Sequence, residues 1–285
     1  MESFKYSDLL LGLEGFDHWL RSLGLTPHLN DRIHEAFKIL RKAEEASRIG
    51  RETGVYTDIQ PKDWFPIIES LEAHDVFRAF QNERSPAVAA ALKRALSGPS
   101  HPIDERPKNR DGRNIWYELA LAAEWKLRGA EVLVAEPDLQ LIRDGITFLV
   151  ACKRPAKEHS IHANIRDAIE QLQENFNDAS PGAFGVAAIN VSCVFNSGNQ
   201  VFSGDMNALG NLLETELDKH RRYLVSVDDP RICCVMFDVA TPSAGHQKVD
   251  LVRASYSVAQ ELKHPSIGSK TFKEHARDMG SHTKH

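Results

Sequence analysis

The strongest structural signal in the sequence is the stretch EPDLQLIRDGITFLVACKRP, which occupies residues 136–155. Asp144 and Gly145 separate two runs of strand-like composition. An Asp-Gly pair favours a two-residue type I′ turn, because both central positions of that turn need positive φ. The stretch therefore predicts a β-hairpin in which Arg143 faces Ile146.

The register of this hairpin brings charged residues together. Counting outward from the turn sets Asp138 opposite Ala151 and Glu136 opposite Lys153. Side chains alternate along a strand, so all four belong to one face, and directly opposed residues have Cβ atoms about 5 Å apart. Taken singly, Asp138 could be a turn residue and Lys153 a solvated strand end. Together, an acid and an amine beside an apolar strand predict a site that could surround one hydrated cation, since an uncompensated charge there is costly.

Four segments differ in composition along the chain. They are a helical N-terminal domain at 1–97, a linker at 98–113, an α/β domain at 114–265 and a polar tail at 266–285. Within the first segment, Ser85 and Pro86 predict a helix start and Gly98 a helix stop. The linker is predicted from its prolines and glycines.

The α/β domain is predicted from alternating helical and strand patterns. In chain order these are a helix at 114–128, strands at 131–136, 138–143 and 146–153, a helix at 161–176, a strand at 184–195, a helix at 206–224, and strands at 231–240 and 252–259. This order predicts a sheet covered by helices on both faces.

Composition excludes several classes of protein. The chain has a net charge of -5 and 42% hydrophobic residues, so a disordered or generally basic protein is excluded, although a local basic patch is not. The sequence has neither an apolar run long enough for a membrane span nor a basic start typical of a secretory signal, and we expect a soluble cytoplasmic protein. Its four cysteines lie in apolar contexts and are predicted to be buried and reduced. P-loop, GxGxxG and GxSxG elements do not occur in the sequence, which argues against ATPase, dinucleotide-binding and serine-hydrolase functions.

Glu118, on the helix predicted before the hairpin, is a second candidate site acid. Ile115, Leu119 and Ala122 form the apolar stripe of that helix, and Glu118 falls at its edge. Acids normally lie on the wet face unless they have a partner or a function. Glu118 could be a salt-bridged edge residue, or it could reach toward the same volume as Asp138.

These residues together resemble the PD-(D/E)XK nuclease superfamily, which has the restriction-endonuclease-like fold. The resemblance rests on Pro137-Asp138 at a strand start, Lys153 at the end of the next strand, Arg154-Pro155 after it, and Glu118 as the helix acid. It covers roughly residues 113–200 and implies an αβββαβ core. The motif is short, so the order and register of its residues carry the resemblance.

The chain departs from the family pattern at one position. Family members have an acid where this chain has Ala151, so Ala151-Cys152-Lys153 stands in place of an acid-x-Lys motif. Three explanations are open: a deliberate change of a glutamate to alanine that disarms the enzyme, a natural loss of activity, or a migrated acid supplied by Glu118 or Glu136.

The resemblance also implies a mechanism and its residues. Metal-assisted phosphodiester hydrolysis would use Mg²⁺ or Mn²⁺ held by Asp138, the acid normally at 151, Glu118 and the backbone carbonyl of Cys152. Lys153 would orient the attacking water or stabilise negative charge in the transition state.

Further contacts with nucleic acid are predicted on and before the helix that follows the hairpin. Arg154, Lys157, Arg166 and Gln171 are candidates for phosphate contacts, because cationic and amide donors are the usual ones. Arg166 and Gln171 could equally be ordinary exposed helix positions.

The sequence therefore predicts a Mg²⁺-dependent nuclease acting on DNA, and its size suits a prokaryotic restriction or anti-phage defence effector that acts as a homodimer or with a partner protein. The alternative is a catalytically dead nuclease-fold module that binds nucleic acid or a partner protein. A third possibility is a structural subunit whose helical half carries the function.

Overall fold

The computed structural model describes residues 6–26, 32–53, 61–177, 179, 182–196, 198, 200, 202–203, 206–244, 249–250, 268, 270–272 and 274. Within these ranges, no helix is both long enough and apolar enough to cross a membrane. The chain forms two compact units, one of Met1–Glu124 with Ser197–Phe202 and one of Trp125–Asn196 with Ser203–His285. The division follows Glu124, downstream of the residues 98–113 that the sequence proposes as a linker.

Among the described residues up to 104, the first unit forms helices. They are α1 (Tyr6–Ser22), α2 (Arg32–Thr53), α3 (Trp64–Phe80) and α4 (Pro86–Ala95), with short 3-10 turns at Pro61–Asp63 and Pro102–Asp104. The predicted start of α4 is confirmed: the Ser85 hydroxyl accepts a hydrogen bond from the Val88 N–H at 3.4 Å, and Pro86 is the first helical residue. Gly98 has a φ of 96° and lies two residues beyond Leu96, the C-cap of α4.

A buried ionic network lies in the first unit. Arg32 and Arg113 both contact Oε1 of Glu69, the former at 3.3 Å, and the side chains of the two arginines are only 3% and 6% exposed. Arg113 also pairs through Nε with Glu105 at 2.8 Å. The guanidinium of Arg32 lies 5.3 Å from the ring centroid of Trp116, a cation–π contact that adds to the network. Glu69 thus balances two buried cations.

The second unit contains the sheet of the predicted α/β class, and this sheet is mixed. The elements that follow α4 are α5 (Asp111–Leu127), β1 (Glu131–Val134), β2 (Leu139–Arg143), β3 (Ile146–Lys153), α6 (Ile161–Asn175), β4 (Phe184–Asn190), α7 (Ser192–Phe195), β5 (Phe202–Ser203), α8 (Met206–Ser226), β6 (Ile232–Asp238), β7 (Ser243–Ala244) and β8 (Val249–Asp250). The five-stranded sheet has the order β1-β2-β3-β4-β6. Its first three strands are antiparallel, and β3, β4 and β6 are parallel. The α/β class is therefore confirmed.

The hairpin forms in the predicted register. Asp144 and Gly145 have φ values of 52° and 75°, as the two-residue turn requires, and Arg143 pairs with Ile146. The ladder ends at the pair of Leu139 with Val150. The next pair that would exchange main-chain hydrogen bonds joins Pro137 with Cys152, and Pro137 has no N–H to donate.

One predicted strand of the second unit ends earlier than expected. Residues 184–195 were expected to form one strand, and this is wrong in part: β4 ends at Asn190, and Ser192–Phe195 form the short helix α7. The Asn190 side chain accepts a hydrogen bond from the Ser192 N–H at 3.0 Å, which turns the chain out of the sheet. The predicted strand at 252–259 lies outside the described residues.

Both faces of β3 are covered. On one face, Phe148 packs against Phe272 with ring centroids 5.6 Å apart, and Phe272 packs against Trp125 at 6.3 Å. Phe272 is fully buried although it belongs to the predicted polar tail. The other face carries α6, whose end lies close to β4 at Gly185: a Cβ there would be 2.9 Å from the Phe176 ring. The glycine thus permits the close approach of helix and sheet.

Candidate functional site

Asp138 lies at the end of the β2–β3 ladder that is farther from the turn. Asp138 directly precedes β2, one step beyond the pair of Leu139 with Val150, and so lies beside Ala151. Its Oδ2 accepts a hydrogen bond of 2.6 Å from the Cys152 N–H. The carboxylate thus takes the place of a main-chain acceptor at the point where the ladder ends.

Gln171 of α6 connects Asp138 with Lys153. The amide oxygen of Gln171 accepts a hydrogen bond from the Lys153 ammonium. The amide nitrogen of the same side chain donates to Asp138 Oδ1 at 3.3 Å and to the Pro137 carbonyl at 3.1 Å. The predicted placement of Asp138 and Lys153 on one face of the sheet is confirmed, because one side chain contacts both. We call Asp138, Lys153 and Gln171 the acid–lysine cluster.

Burial controls the ionisation of the acid in this cluster. Burial raises the pKa of Asp138 above its ordinary value of 3.8. The Cys152 N–H, the Lys153 charge and the Gln171 amide each favour the carboxylate and oppose that rise, whereas the charge of Glu136 adds to it. The net direction is upward, so the fold holds a carboxylate in an environment that disfavours its charge.

Asp138→Asn is expected to flatten the pH dependence of stability. A raised native pKa means that the native state binds more protons than the unfolded state, so this group's contribution is fully present below about 3.8 and declines as pH rises through its native pKa. Urea unfolding of both proteins between about pH 3.5 and 7.5 measures this. The free energy of unfolding of wild type relative to Asp138→Asn should fall with rising pH; a difference that grows with pH would contradict the stated direction of the shift.

Position 151 contributes packing and no charge. Ala151 is fully buried and pairs in register with Ala187 of the parallel strand β4. Glu136, one candidate for a migrated acid, is exposed and precedes the ladder, and its backbone carbonyl accepts a hydrogen bond from the Gln140 side chain at 3.2 Å. The expected pairing of Glu136 with Lys153 does not form within the ladder, which ends three residues later in the chain.

Glu118 and Cys152 are the two other predicted metal ligands, and their proposed role in binding a cation stays a prediction. Glu118 lies on α5 in the first unit and is half-buried. Cys152 is buried in β3 opposite Ala188, and it contributes its N–H to Asp138. Within the described ranges, no group of three or more His, Cys, Asp or Glu side chains is arranged to hold a metal ion.

The predicted phosphate contacts are in different surroundings. Arg154 is half-buried, and its Nη2 lies 2.7 Å from the sulfur of Cys193. Lys157 is exposed just before α6. Arg166 is exposed and lies 3.6 Å from Glu170 on the same helix, an arrangement typical of a solvated helix surface.

Comparison with known proteins adds no identification. No protein-family model, curated protein or solved structure matches this chain. Function must therefore be inferred from the acid–lysine cluster itself.

Gln171 is the residue whose place sequence reasoning missed. It was expected to touch phosphate from the helix surface, and the structure sets it between the acid and the lysine. A partial signal is present in the helix pattern, since Gln171 adjoins the buried Leu172 and follows the buried Ala168 by three residues. The same pattern fits any residue at the edge of an apolar stripe.

Proposed function

We propose that this chain carries a Mg²⁺-dependent phosphodiesterase site of the PD-(D/E)XK type and acts on DNA. The observation that carries the proposal is the meeting of Asp138 and Lys153 at one side chain, beside the end of the hairpin. The order α5-β1-β2-β3-α6-β4 supports it, because it is the αβββαβ order that the resemblance implies.

The donor atoms of the cluster suit a hard cation. Asp138 Oδ1 and the Pro137 carbonyl oxygen both point to the same Gln171 nitrogen, so two oxygens already converge on one point. Carboxylate and carbonyl oxygens are ligands that Mg²⁺ and Mn²⁺ accept. A bound ion of this kind would polarise a phosphate and lower the pKa of a water molecule.

Lys153 supplies the positive charge of the proposed reaction. It ends β3 half-buried, next to the acid, where an ammonium can stabilise negative charge that develops on phosphate. Arg154, Lys157 and Arg166 are proposed to contact the phosphate backbone around it, because Arg and Lys side chains are among the usual donors to phosphate oxygens. At the level of biological role, we propose a cytoplasmic effector of prokaryotic restriction or anti-phage defence that works as a homodimer or with a partner protein.

A second candidate function is favoured by position 151. The neutral, fully buried Ala151 replaces the acid of the family pattern, and both oxygens of Asp138 accept hydrogen bonds from the protein. A module that keeps the fold and binds nucleic acid or a partner protein without cutting would have these features.

Cleavage of plasmid DNA by the unaltered chain tests the proposal. We expect slow cleavage that requires millimolar Mn²⁺, because a single carboxylate holds a divalent ion weakly, and we expect it to disappear in Asp138→Asn and in Lys153→Met. DNA that is bound and left intact would select the binding module. Equal cleavage by wild type and Asp138→Asn would contradict the proposed site.

A further inference from the structure

The two ends of the Gln171 amide contact groups of opposite charge. An ammonium can only donate hydrogen bonds and a carboxylate can only accept them. The amide oxygen therefore belongs on Lys153 and the amide nitrogen on Asp138, which is the orientation observed. An amide turned the other way would set nitrogen against ammonium and oxygen against carboxylate.

The amide nitrogen occupies the point where the oxygens of the site converge. It lies 3.1 Å from the Pro137 carbonyl oxygen and 3.3 Å from Asp138 Oδ1. A Mg²⁺ ion binds oxygen at about 2.0–2.1 Å, so an ion that takes both oxygens from the side on which the nitrogen lies would occupy the space of that NH₂ group. A cation that binds here must displace the Gln171 nitrogen.

Displacement of one end of the amide also moves the other. The amide group is planar and rigid, so the nitrogen cannot leave Asp138 by rotation about the last side-chain bond without carrying the oxygen away from Lys153. Lys153 would then lose an acceptor and its ammonium could turn to another anion, such as a substrate phosphate.

We propose that Gln171 is a coupling residue: divalent-cation binding at Asp138 and Pro137 displaces its amide and thereby releases Lys153. This inference rests on the proposed function, whose site it shares, and it adds an order of events. Without the cation, Lys153 is held by Gln171; with the cation, Lys153 is available to the phosphate.

Titration of the full-length chain with Mg²⁺ tests the coupling without any DNA. Calorimetry measures the affinity, and NMR follows the Lys153 side-chain resonance, assigned with Lys153→Arg. In wild type we expect the Lys153 resonance to shift as Mg²⁺ saturates the site. In Gln171→Leu we expect that resonance to be shifted already without Mg²⁺. We also expect Mg²⁺ to bind about tenfold more tightly, because no amide hydrogen bonds have to be broken.

Gln173→Leu is the matched control. Gln173 is an exposed glutamine on the same helix, and its amide lies 3.5 Å from Asp229, away from the cluster. Its replacement should leave both the affinity and the Lys153 resonance as in wild type. Gln171→Met serves as a second apolar variant, unbranched like glutamine, if Gln171→Leu does not fold.

Several results would overturn the coupling: equal Mg²⁺ affinity in wild type and Gln171→Leu, a Lys153 resonance that Mg²⁺ does not move, or no Mg²⁺ binding by either protein. Failure of the proposed function has a different signature. If the Mg²⁺ affinity and the Lys153 resonance change as expected but the chain never cuts DNA, the coupling is supported and the nuclease function is contradicted. If the chain cuts DNA but neither measurement changes as expected, the nuclease function is supported and the coupling is contradicted.

Discussion

Replacing Ala151 with glutamate is expected to raise Mg²⁺-dependent DNA cleavage by at least about 10²-fold, the scale of one well-placed electrostatic group in an active site. Residue 151 lies one step beyond the ladder pair of Leu139 with Val150 and thus beside Asp138. A second carboxylate there would give the cation two charged ligands. The new charge at a fully buried position should also lower stability without cation and make Mg²⁺ stabilising.

Two further variants make this result interpretable. Ala151→Gln has nearly the same volume as the glutamate variant and lacks its charge, so it should leave cleavage at the wild-type rate. Adding Lys153→Met to Ala151→Glu should abolish the gain. A folded Ala151→Glu protein that binds Mn²⁺ in calorimetry and cuts no faster than Ala151→Gln would contradict the proposed enzyme and favour the binding module.

Glu69→Leu is expected to lower the free energy of unfolding by about 3–5 kcal/mol, the range measured when one partner of a buried ionic contact is removed. Glu69 contacts the guanidinium groups of Arg32 and Arg113, whose side chains are 3% and 6% exposed. Without the carboxylate, these two buried cations lose their shared counter-charge. Urea denaturation of the full chain, followed by circular dichroism, measures the loss.

An exposed pair in the same unit provides the comparison. Glu45 contacts Arg48 at 2.6 Å, and both side chains are at least half exposed. Glu45→Leu removes a similar ion pair in high dielectric and should change stability by less than about 1 kcal/mol. Equal losses for the two variants would show that Glu69 acts through something other than buried charge.

Local sequence predicted the elements that local chemistry controls. Asp144 and Gly145 dictate the turn, the turn dictates the register, and the register sets Asp138 and Lys153 on one face. The helix start at Ser85 follows in the same way, because its hydroxyl satisfies an N–H of the first turn. Each of these features follows from contacts within one hairpin or one helix turn.

Two features that sequence did not predict depend on contacts between distant segments. Gln171 reaches the acid because α6 lies close to the sheet at Gly185, and no pattern within α6 encodes that approach. Phe272 is buried through contact with Phe148 and Trp125, far away in the chain. The end of β4 was missed for a local reason, since the apolar run 184–195 has strand composition throughout and the Asn190 side chain redirects it.

The hydrogen bond from the Cys152 N–H to Asp138 makes positions 138 and 151 unequal. At 138 the carboxyl group also stabilises the fold, because it accepts the hydrogen bond of the Cys152 N–H. An apolar side chain at this position would leave that N–H without its acceptor. At 151 a methyl group suffices for the scaffold. Mutation at 151 can therefore remove a charge and leave a well-formed protein, whereas mutation at 138 also removes a hydrogen-bond acceptor on which the fold depends.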